Sequence, residues 1–308
     1  MSGVDSVLLA AFGGPTAAHE IRPFLEIVTR GRNIPAERLE EVAHHYELMP
    51  GSRSPLADRT FSQARALERT LAHGGSALPV FVGMRNWHPF LQETLAEMAR
   101  KGARRTLAVI LSVLRTEASW ERYMRDVAEA RARVAGAPEI EFAPPWFEHQ
   151  RFVAAVADRA RAAFGEIRRE EDRASAPLVF TAHSVPVAMA EASPYVSDLT
   201  AASRAVADRL GHPRWSIAYQ SRSGSPREPW LEPDVTAVLR LLAADREPHA
   251  VVVPIGFVCD HVEVLYDLDV EARRVAEAAG ITFHRAAAVN DHPEFIAMLA
   301  DLVRGGAR

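Results

Sequence analysis

The chain has 308 residues, of which 48% are hydrophobic and 25% are charged, and this composition excludes a disordered protein. Its 36 basic and 40 acidic residues give a net charge of −4, which offers no reason to expect nucleic acid as a partner. The single cysteine, Cys259, excludes a disulfide framework, and also an iron–sulfur cluster or a thiolate-held zinc built from this chain alone.

No stretch approaches the roughly 18–20 apolar residues of a membrane span. The N-terminal segment MSGVDSVLLAAFGGP lacks the basic start of a secretory signal, and its apolar run is too short for one. Together with the lone cysteine, these features predict a cytoplasmic protein without a transmembrane segment.

Eight short apolar runs alternate with longer amphipathic segments such as RTFSQARALERTLA and FLQETLAEMARKG. Several of the runs are almost unbroken, which is typical of strands that are covered on both faces. Alternating strands and helices predict an α/β protein with parallel sheets. In chain order, the predicted strands are SVLLAAFG, LPVFVGM, TLAVILSV, IEFAPP, PLVFTAHS, WSIAYQS, HAVVVPIGF and ITFHRAAA.

The least apolar connection, GEIRREEDRASAP at 165–177, leaves four predicted strands on each side. We therefore predict two similar halves, residues 1–165 and 166–308, each a four-stranded parallel sheet flanked by helices. Because open parallel sheets bind ligands beyond the carboxyl ends of their strands, a cleft between the halves is the expected site. An eight-stranded barrel is the competing topology.

Familiar nucleotide and hydrolase motifs are missing from the sequence. Adjacent glycines follow the first strand in AFGGP, but neither GxGxxG nor GxxxxGK[ST] occurs. No GxSxG motif surrounds Ser184, so hydrolase chemistry has no support. The sequence therefore predicts no organic cofactor.

An acidic stripe follows the seventh predicted strand. At about 100° per residue, Asp260, Glu263, Asp267 and Glu271 fall within a helix sector of roughly 80° that apolar residues flank. Like charges four residues apart repel by a few tenths of a kcal/mol. The stripe is therefore either the exposed edge of an amphipathic helix or a line of hard oxygen ligands for a hydrated divalent cation.

His183 ends the fifth predicted strand in FTAHSVP, 180–186. A lone histidine at a strand end is more often structural than catalytic. A second strand end that carries acidic residues favours a functional site. An imidazole that is neutral near pH 7 can accept a proton or contact a metal.

Three segments, FTAHSVP, YQSRSGSPREPWLEPDV and PIGFVCDHVEVLYDLDVE, resemble the signature segments of ferrochelatases, which insert Fe²⁺ into a porphyrin. The segments AFGGP, VTRGR, GSRSPL, VGMRNWHPFLQETLAEM and NDHPEFIAMLADLV resemble the same family in order, so the resemblance spans nearly the whole chain. The family members that the chain resembles include the short soluble bacterial enzymes that metallate coproporphyrin III. The resemblance implies two Rossmann-like halves with the porphyrin between them and Fe²⁺ as a substrate.

The resemblance also implies roles for the two strand-end features. Metallation removes two pyrrole N–H protons, and His183 and Glu263 are the implied catalytic pair. Which of the two is the base and which is the metal ligand stays open. Behind them, Asp267 and Glu271 would pass iron inward or carry protons outward, so all four residues are predicted to contact the metal.

The substrate's carboxylates call for cations and hydroxyls. The resemblance implies propionate contacts for Arg30, Arg32, Ser54 and Tyr123, and the planar fork of Arg suits a carboxylate. The alternative for the two arginines is a solvated surface pair. Trp230 is predicted to pack at the wall of the porphyrin site.

Three positions bear on how the product is handled. Phe12, predicted to face the substrate, stands where many coproporphyrin enzymes have Tyr, so a phenolate ligand is missing there. Leu114 stands where those relatives can have His. Cys259 is predicted to be a small packing residue rather than a ligand.

The sequence therefore predicts a ferrochelatase of haem biosynthesis, with coproporphyrin III favoured over protoporphyrin IX because its four carboxylates match donors from separate segments. One alternative is a chelatase for another tetrapyrrole or metal, such as cobalt with a sirohydrochlorin-like ring. The other is a non-catalytic haem carrier, which would need neither His183 nor Glu263. Any contact with other haem-pathway enzymes would be transient.

Overall fold

The computed structural model describes residues 3–31, 34–223 and 228–305. Arg32, one of the predicted propionate contacts, lies outside the described residues. The chain forms two compact units. The first contains the described residues up to Leu111, the segment Glu121–Pro144 and the C-terminal segment from Leu299, and the second contains Ser112–Trp120 and Pro145–Met298.

A four-stranded parallel sheet in the order β2-β1-β3-β4 is the centre of the first unit. All six residues of β1 are buried, as expected of an apolar strand with both faces covered. The strands are β1 Ser6–Ala11, β2 Val80–Met84, β3 Arg105–Ile110 and β4 Glu139–Phe142. The helices are α1 Ile21–Thr29, α2 Ala36–Glu47, α3 Leu56–His73, α4 Leu91–Arg100 and α5 Arg122–Ala132, with a 3₁₀ turn at Ala18–Glu20.

The second unit contains a sheet of the same design, ordered β6-β5-β7-β8 and parallel throughout. Its strands are β5 Leu178–His183, β6 Trp215–Gln220, β7 His249–Val253 and β8 Thr282–Arg285. The remaining helices are α6 Gln150–Phe164, α7 Glu170–Ser175, α8 Val187–Glu191, α9 Tyr195–Leu210, α10 Val235–Ala244, α11 Val262–Val264, α12 Arg273–Ala278 and α13 Pro293–Val303. Two π-helical segments, Glu117–Glu121 and Leu265–Ala272, complete the elements.

The eight predicted strands are confirmed, and so are the two four-stranded parallel sheets. Each sheet is open, so the barrel alternative is wrong. Among the described residues, no helix is long and apolar enough to cross a membrane.

The division between the units differs from the predicted boundary at residue 165. Helix α6 belongs to the second unit, because it packs on α9 and on strands β7 and β8. The polar connection at 165–177 therefore lies within the second unit and contains α7. A polar surface segment of this kind does not reveal which sheet a neighbouring helix covers.

An apolar cluster holds the second unit's acidic segment in place. Val264 and Leu268, both fully buried, pack with Leu239 of α10 and with Val179 and Phe283 of the sheet. Full burial of each aliphatic side chain contributes about 1.5–3 kcal/mol. The acidic segment therefore has its apolar face fixed on the sheet.

The loop after β7 approaches the end of strand β5 so closely that it requires a glycine. The backbone N–H of Gly256, which follows β7, donates to the carbonyl of Thr181 at 3.0 Å. A Cβ at Gly256 would lie 2.6 Å from the Cβ of Ala182. The missing side chain thus lets the segment after β7 pass directly against the strand that ends at His183.

Candidate active site

The order of the second sheet places a topological switch point between β5 and β7. The chain leaves β5 for β6 on one side and then reaches β7 on the other. Open α/β sheets bind their ligands at the carboxyl ends of two such strands. His183 is the last residue of β5, and the loop after β7 leads to Glu263. Two residues that the sequence predicts as the catalytic pair therefore meet at this edge.

His183 and Glu263 face each other with a defined tautomer. The Nε2 atom of His183 lies 3.9 Å from Oε1 of Glu263, and both side chains are partly exposed. On the other side of the ring, Nδ1 of His183 is bonded to the carbonyl of Ser184. Because a carbonyl only accepts, Nδ1 carries the proton of the neutral ring. Nε2 is therefore left with its lone pair directed towards Glu263, as a base or a metal ligand requires.

Buried hydrogen bonds fix the backbone that carries this imidazole. The hydroxyl of Tyr195 donates to the carbonyl of His183 at 2.6 Å. Burial raises the pKa of Tyr195 well above its ordinary value, so the phenol stays a donor. Ser184 is buried as well, and its Oγ donates to the carbonyl of Leu231 at 2.9 Å. These bonds hold His183 at the strand end.

The acidic segment is a π-helix over Leu265–Ala272, not the regular α-helix assumed from the sequence. The N–H of Arg273 donates to the carbonyl of Leu268, five residues earlier, which is the π-helical bond. A wider turn changes the angular spacing, so the 100° projection does not hold for this segment. The helix begins at His261, whose Nδ1 accepts from the N–H of Glu263 at 3.2 Å.

Asp260 does not belong to the acidic line. It precedes the helix, is buried, and pairs with Arg285 at 2.6 Å. Its other oxygen accepts from Nδ2 of Asn290 at 2.8 Å. The predicted four-residue sector is therefore wrong for Asp260. An opposite charge and an amide 25–30 residues further on satisfy it instead.

Asp267 faces the sheet rather than bulk solvent. One of its oxygens accepts from the hydroxyl of Ser221, the residue that follows β6. Burial is the largest cause that raises the pKa of Asp267, and the neighbouring charges of Glu263 and Glu271 add to it, while the hydrogen bond from Ser221 opposes the shift; together they raise the pKa to about 8. Near pH 7 this carboxyl is therefore mostly protonated. Its proximity to Glu263 and Glu271 makes the three acids a connected line.

The line does not close into a cage around one ion. Across the described ranges, no three His, Cys, Asp or Glu side chains are grouped so that they would hold a metal together. The four predicted metal contacts are thus spread along the edge. Such a spacing suits successive contacts with a moving ion or proton.

Replacing Asp267 by Asn should change how stability depends on pH. The folded-state pKa of about 8 exceeds the ordinary aspartate value of 3.8, so between these values the folded wild type holds a proton that the unfolded chain has lost. Its unfolding free energy should therefore fall with rising pH, by at most about 1.4 kcal/mol per unit. The Asp267→Asn variant lacks this component. Urea unfolding at pH 5, 6, 7 and 8 should show the variant gaining stability relative to the wild type.

If the difference in unfolding free energy between the wild type and Asp267→Asn did not change from pH 5 to pH 8, this result would contradict the raised pKa. Asp245→Asn, at the exposed C-terminal end of α10, is the matched control and should show no such trend.

Sequence reasoning missed the side chains that support the pair. Gln220, the last residue of β6, is paired with His183 in the sheet register, and its Nε2 donates to the carbonyl of Glu263 at 3.2 Å. Ser221 and Tyr195 were also not singled out. Gln220 and Ser221 end a predicted strand in WSIAYQS, so their place at the carboxyl edge was the available signal. Tyr195 gave none.

In the first unit, three of the predicted substrate residues gather around the end of β1. Phe12 follows β1, is exposed, and stacks edge-on against Phe24. Ser54 is buried, its N–H donates to the carbonyl of Pro15 at 2.8 Å, and its Oγ accepts from Leu56. This edge lies at the carboxyl ends of the strands of the first sheet, as His183 does in the second.

Tyr123 lies at the same edge, although its ring is buried. The guanidinium of Arg85 lies over that ring, 4.5 Å from its centre, and pairs with Asp126 at 2.6 Å. The N–H of Arg85 donates to the carbonyl of Ala11, the last residue of β1. The strand end and Tyr123 are therefore linked through Arg85.

Two other predicted substrate-binding residues, Arg30 and Trp230, are not part of this group. Arg30 caps the end of α1 and is exposed, and no contact within the described residues joins it to Phe12, Ser54 or Tyr123. Trp230 in the second unit is half-buried and pairs through its backbone with Pro186, three residues after His183. Its Nε1 is buried without a partner among the described residues.

Comparison with known proteins identifies the family. The ferrochelatase family model matches residues 4–307. The chain belongs to the ferrochelatase family. This confirms the resemblance drawn from the sequence segments and makes Fe²⁺ the substrate metal. The buried Cys259 is the chain's only cysteine, so no iron–sulfur cluster is evident.

Relatives cover almost the whole ferrochelatase chain. A ferrochelatase from Rhodopirellula baltica is 40% identical over 97% of this chain and 85% of its own. Coproporphyrin III ferrochelatases from Mycobacterium avium and Mycolicibacterium smegmatis are 44% and 42% identical over 97% of this chain, and 87% and 88% of theirs.

Solved structures show the same fold. The sirohydrochlorin chelatase SirB from Bacillus subtilis subspecies spizizenii, in complex with cobalt, has a TM-score of 0.57 at 14% identity and covers 98% of this chain and 94% of its own. CbiX, described as the terminal enzyme for siroheme biosynthesis in denitrifying bacteria, has a TM-score of 0.55 at 15% identity, covering 98% and 100%. At these identities the likeness concerns the fold alone.

Proposed function

We propose that this ferrochelatase inserts Fe²⁺ into coproporphyrin III, with His183 and Glu263 as the metallating pair. The observation that carries the proposal is the 3.9 Å approach of His183 Nε2 to Glu263 Oε1 at the switch point of the second sheet. The names of the mycobacterial relatives support coproporphyrin III as the porphyrin.

The reaction exchanges two protons for one dication. The porphyrin loses both pyrrole N–H protons, and Fe²⁺ takes their place among four ring nitrogens. The lone pair on Nε2 of His183 accepts a proton, and the imidazolium that forms is stabilised by the carboxylate of Glu263 facing it. A neutral base that gains an adjacent anionic partner is suited to proton removal near neutral pH.

Asp267 supports the outward movement of protons more than the inward movement of iron. With its pKa raised to about 8, it is mostly protonated near pH 7 and is a poor ligand for a dication in that state. A protonated acid between Glu263 and Glu271 can release its proton to one neighbour and regain it from the other. This favours one of the two roles that the sequence left open.

In the first unit, we propose that Phe12 lies against the porphyrin face. Arg30, Arg32, Ser54 and Tyr123 are proposed to bind propionates. The exposed position of Arg30 suits a cation that pairs only when a carboxylate arrives. The buried hydroxyls of Ser54 and Tyr123 would act over short distances at the end of β1.

Anaerobic turnover with each porphyrin tests the proposal. Fe²⁺ insertion into coproporphyrin III and protoporphyrin IX is followed by absorption, and coproporphyrin III should give the higher kcat/KM. Arg30→Ala should raise the KM for coproporphyrin III by about tenfold, the equivalent of one charge-assisted hydrogen bond. Arg69→Ala, which removes an exposed arginine of α3, should leave the KM unchanged.

Glu263→Gln provides the inactive reference for both porphyrins. A clear preference for protoporphyrin IX that Arg30→Ala does not alter would overturn the choice of substrate. Tight binding of both porphyrins without any Fe²⁺ insertion would instead indicate a carrier.

A further inference from the structure

A second group of histidines and carboxylates lies at the other edge of the second sheet. His249 is the first residue of β7, and His284 is the third residue of the neighbouring strand β8. His183 ends the parallel strand β5, so it lies at the opposite, carboxyl edge. The new group is therefore separate from the catalytic pair.

The two rings are directed at each other through nitrogen atoms. Nδ1 of His249 lies 3.1 Å from Nε2 of His284. Side-chain exposure is 20% for His249 and 7% for His284, so the pair lies just below the surface.

This nitrogen separation is close to that of two ligands on one metal ion. Zinc binds histidine nitrogen at about 2.0–2.1 Å with tetrahedral angles, which places two such nitrogens roughly 3.3 Å apart. An ion bound to both nitrogens in place of the shared proton would lie to one side of the line that joins them, so each ring would turn to direct its nitrogen at the ion.

Each ring also has a carboxylate at its remaining nitrogen. Oε2 of Glu166 lies 3.0 Å from Nδ1 of His284, and Oδ2 of Asp172 lies 3.9 Å from Nε2 of His249. The contact of His284 with Glu166 is within hydrogen-bond distance, and the contact of His249 with Asp172 is a longer charge contact. Histidines that bind metals commonly donate their second N–H to a carboxylate, which orients the ring and makes it more basic. A simple pair of hydrogen-bonded histidines needs neither acid.

We propose that His249 and His284 bind one borderline divalent cation of the zinc type at this edge, oriented by Glu166 and Asp172. Imidazole ligands suit Zn²⁺, Ni²⁺ and Cu²⁺. Water completes the coordination, since no third protein ligand joins the pair within the described residues. On binding, His249 keeps its proton but moves it from Nδ1 to Nε2, where it faces Asp172.

Calorimetric titration of the full chain with Zn²⁺ alone, without porphyrin, tests this site. The wild type should bind one more equivalent of Zn²⁺ than either His249→Ala or His284→Ala. The His183→Ala variant should retain that equivalent, because it alters only the catalytic edge. His73→Ala, which removes an exposed histidine of α3, should bind as the wild type does.

Two further measurements keep the test decisive. Glu166→Gln leaves both ligands in place and should weaken the site about 10- to 100-fold. Fe²⁺ insertion by His249→Ala should proceed at the wild-type rate, which also shows that the variant is folded. Equal Zn²⁺ stoichiometry in the wild type and both alanine variants would overturn the proposal.

Discussion

His183→Ala should lower kcat for Fe²⁺ insertion by roughly 10²- to 10⁴-fold, the usual contribution of a positioned general base. The substitution removes the imidazole nitrogen that lies 3.9 Å from Oε1 of Glu263. It leaves the strand β5 intact, because the backbone carbonyl of residue 183 still accepts from Tyr195. Anaerobic assays followed by porphyrin absorption would measure kcat, and fluorescence quenching would measure porphyrin affinity.

Porphyrin affinity should stay within a few-fold of the wild type in this variant. The control is His73→Ala, which removes an exposed histidine from α3 and should keep full activity. Activity within a few-fold of the wild type in His183→Ala would show that this imidazole is neither base nor ligand. Loss of porphyrin binding together with kcat would point to a structural role instead.

Arg285→Leu should lower the free energy of unfolding by about 3–5 kcal/mol, the cost of leaving a buried partner charge uncompensated. Arg285 is largely buried and pairs with Asp260 at 2.6 Å. It also donates two bonds to Asp269 of the π-helix, at 2.6 and 2.8 Å. Removing Arg285 leaves the carboxylate of Asp260 buried without its opposite charge. It also removes the two bonds to the π-helix, which follows directly on the helical turn that contains Glu263. Urea unfolding at pH 7 measures the effect.

Arg161→Ala is the matched control for this prediction. Arg161 pairs with Asp158 at 2.6 Å, but both side chains are about half exposed. Exposed pairs contribute about 0–1 kcal/mol, so the control should lose little. If the free energy of unfolding of Arg285→Leu also fell by less than about 1 kcal/mol, the contacts of Arg285 with Asp260 and with Asp269 of the π-helix would not stabilise the protein. Arg285→Lys keeps the charge but loses the planar guanidinium, so its loss of unfolding free energy should lie between those of Arg285→Leu and Arg161→Ala.

At the sheet edge with His183 and Glu263, the local sequence pattern predicted the positions of residues but not their protonation. The strand end at His183 and the acidic segment that contains Glu263 were predicted to meet, because parallel strands bring their carboxyl ends to one edge. The resemblance to ferrochelatases singled out these two residues as the pair. Asp267 was predicted as part of a line, but its protonation state was not. Burial raises the pKa of Asp267 against the opposing hydrogen bond from Ser221, which lies 46 residues away.

The sequence by itself determined the eight strands, their division four and four, the position of His183 at the end of the fifth strand, and the position of Glu263 in the acidic segment after the seventh. These features depend on apolar runs and residue order, which are local and can be read directly. Only the tertiary structure decided that residues 265–272 wind as a π-helix, that Asp260 is buried against Arg285, and that α6 joins the second sheet. Each of these outcomes depends on partners distant in sequence, whose packing and charge pairing override the local helical period.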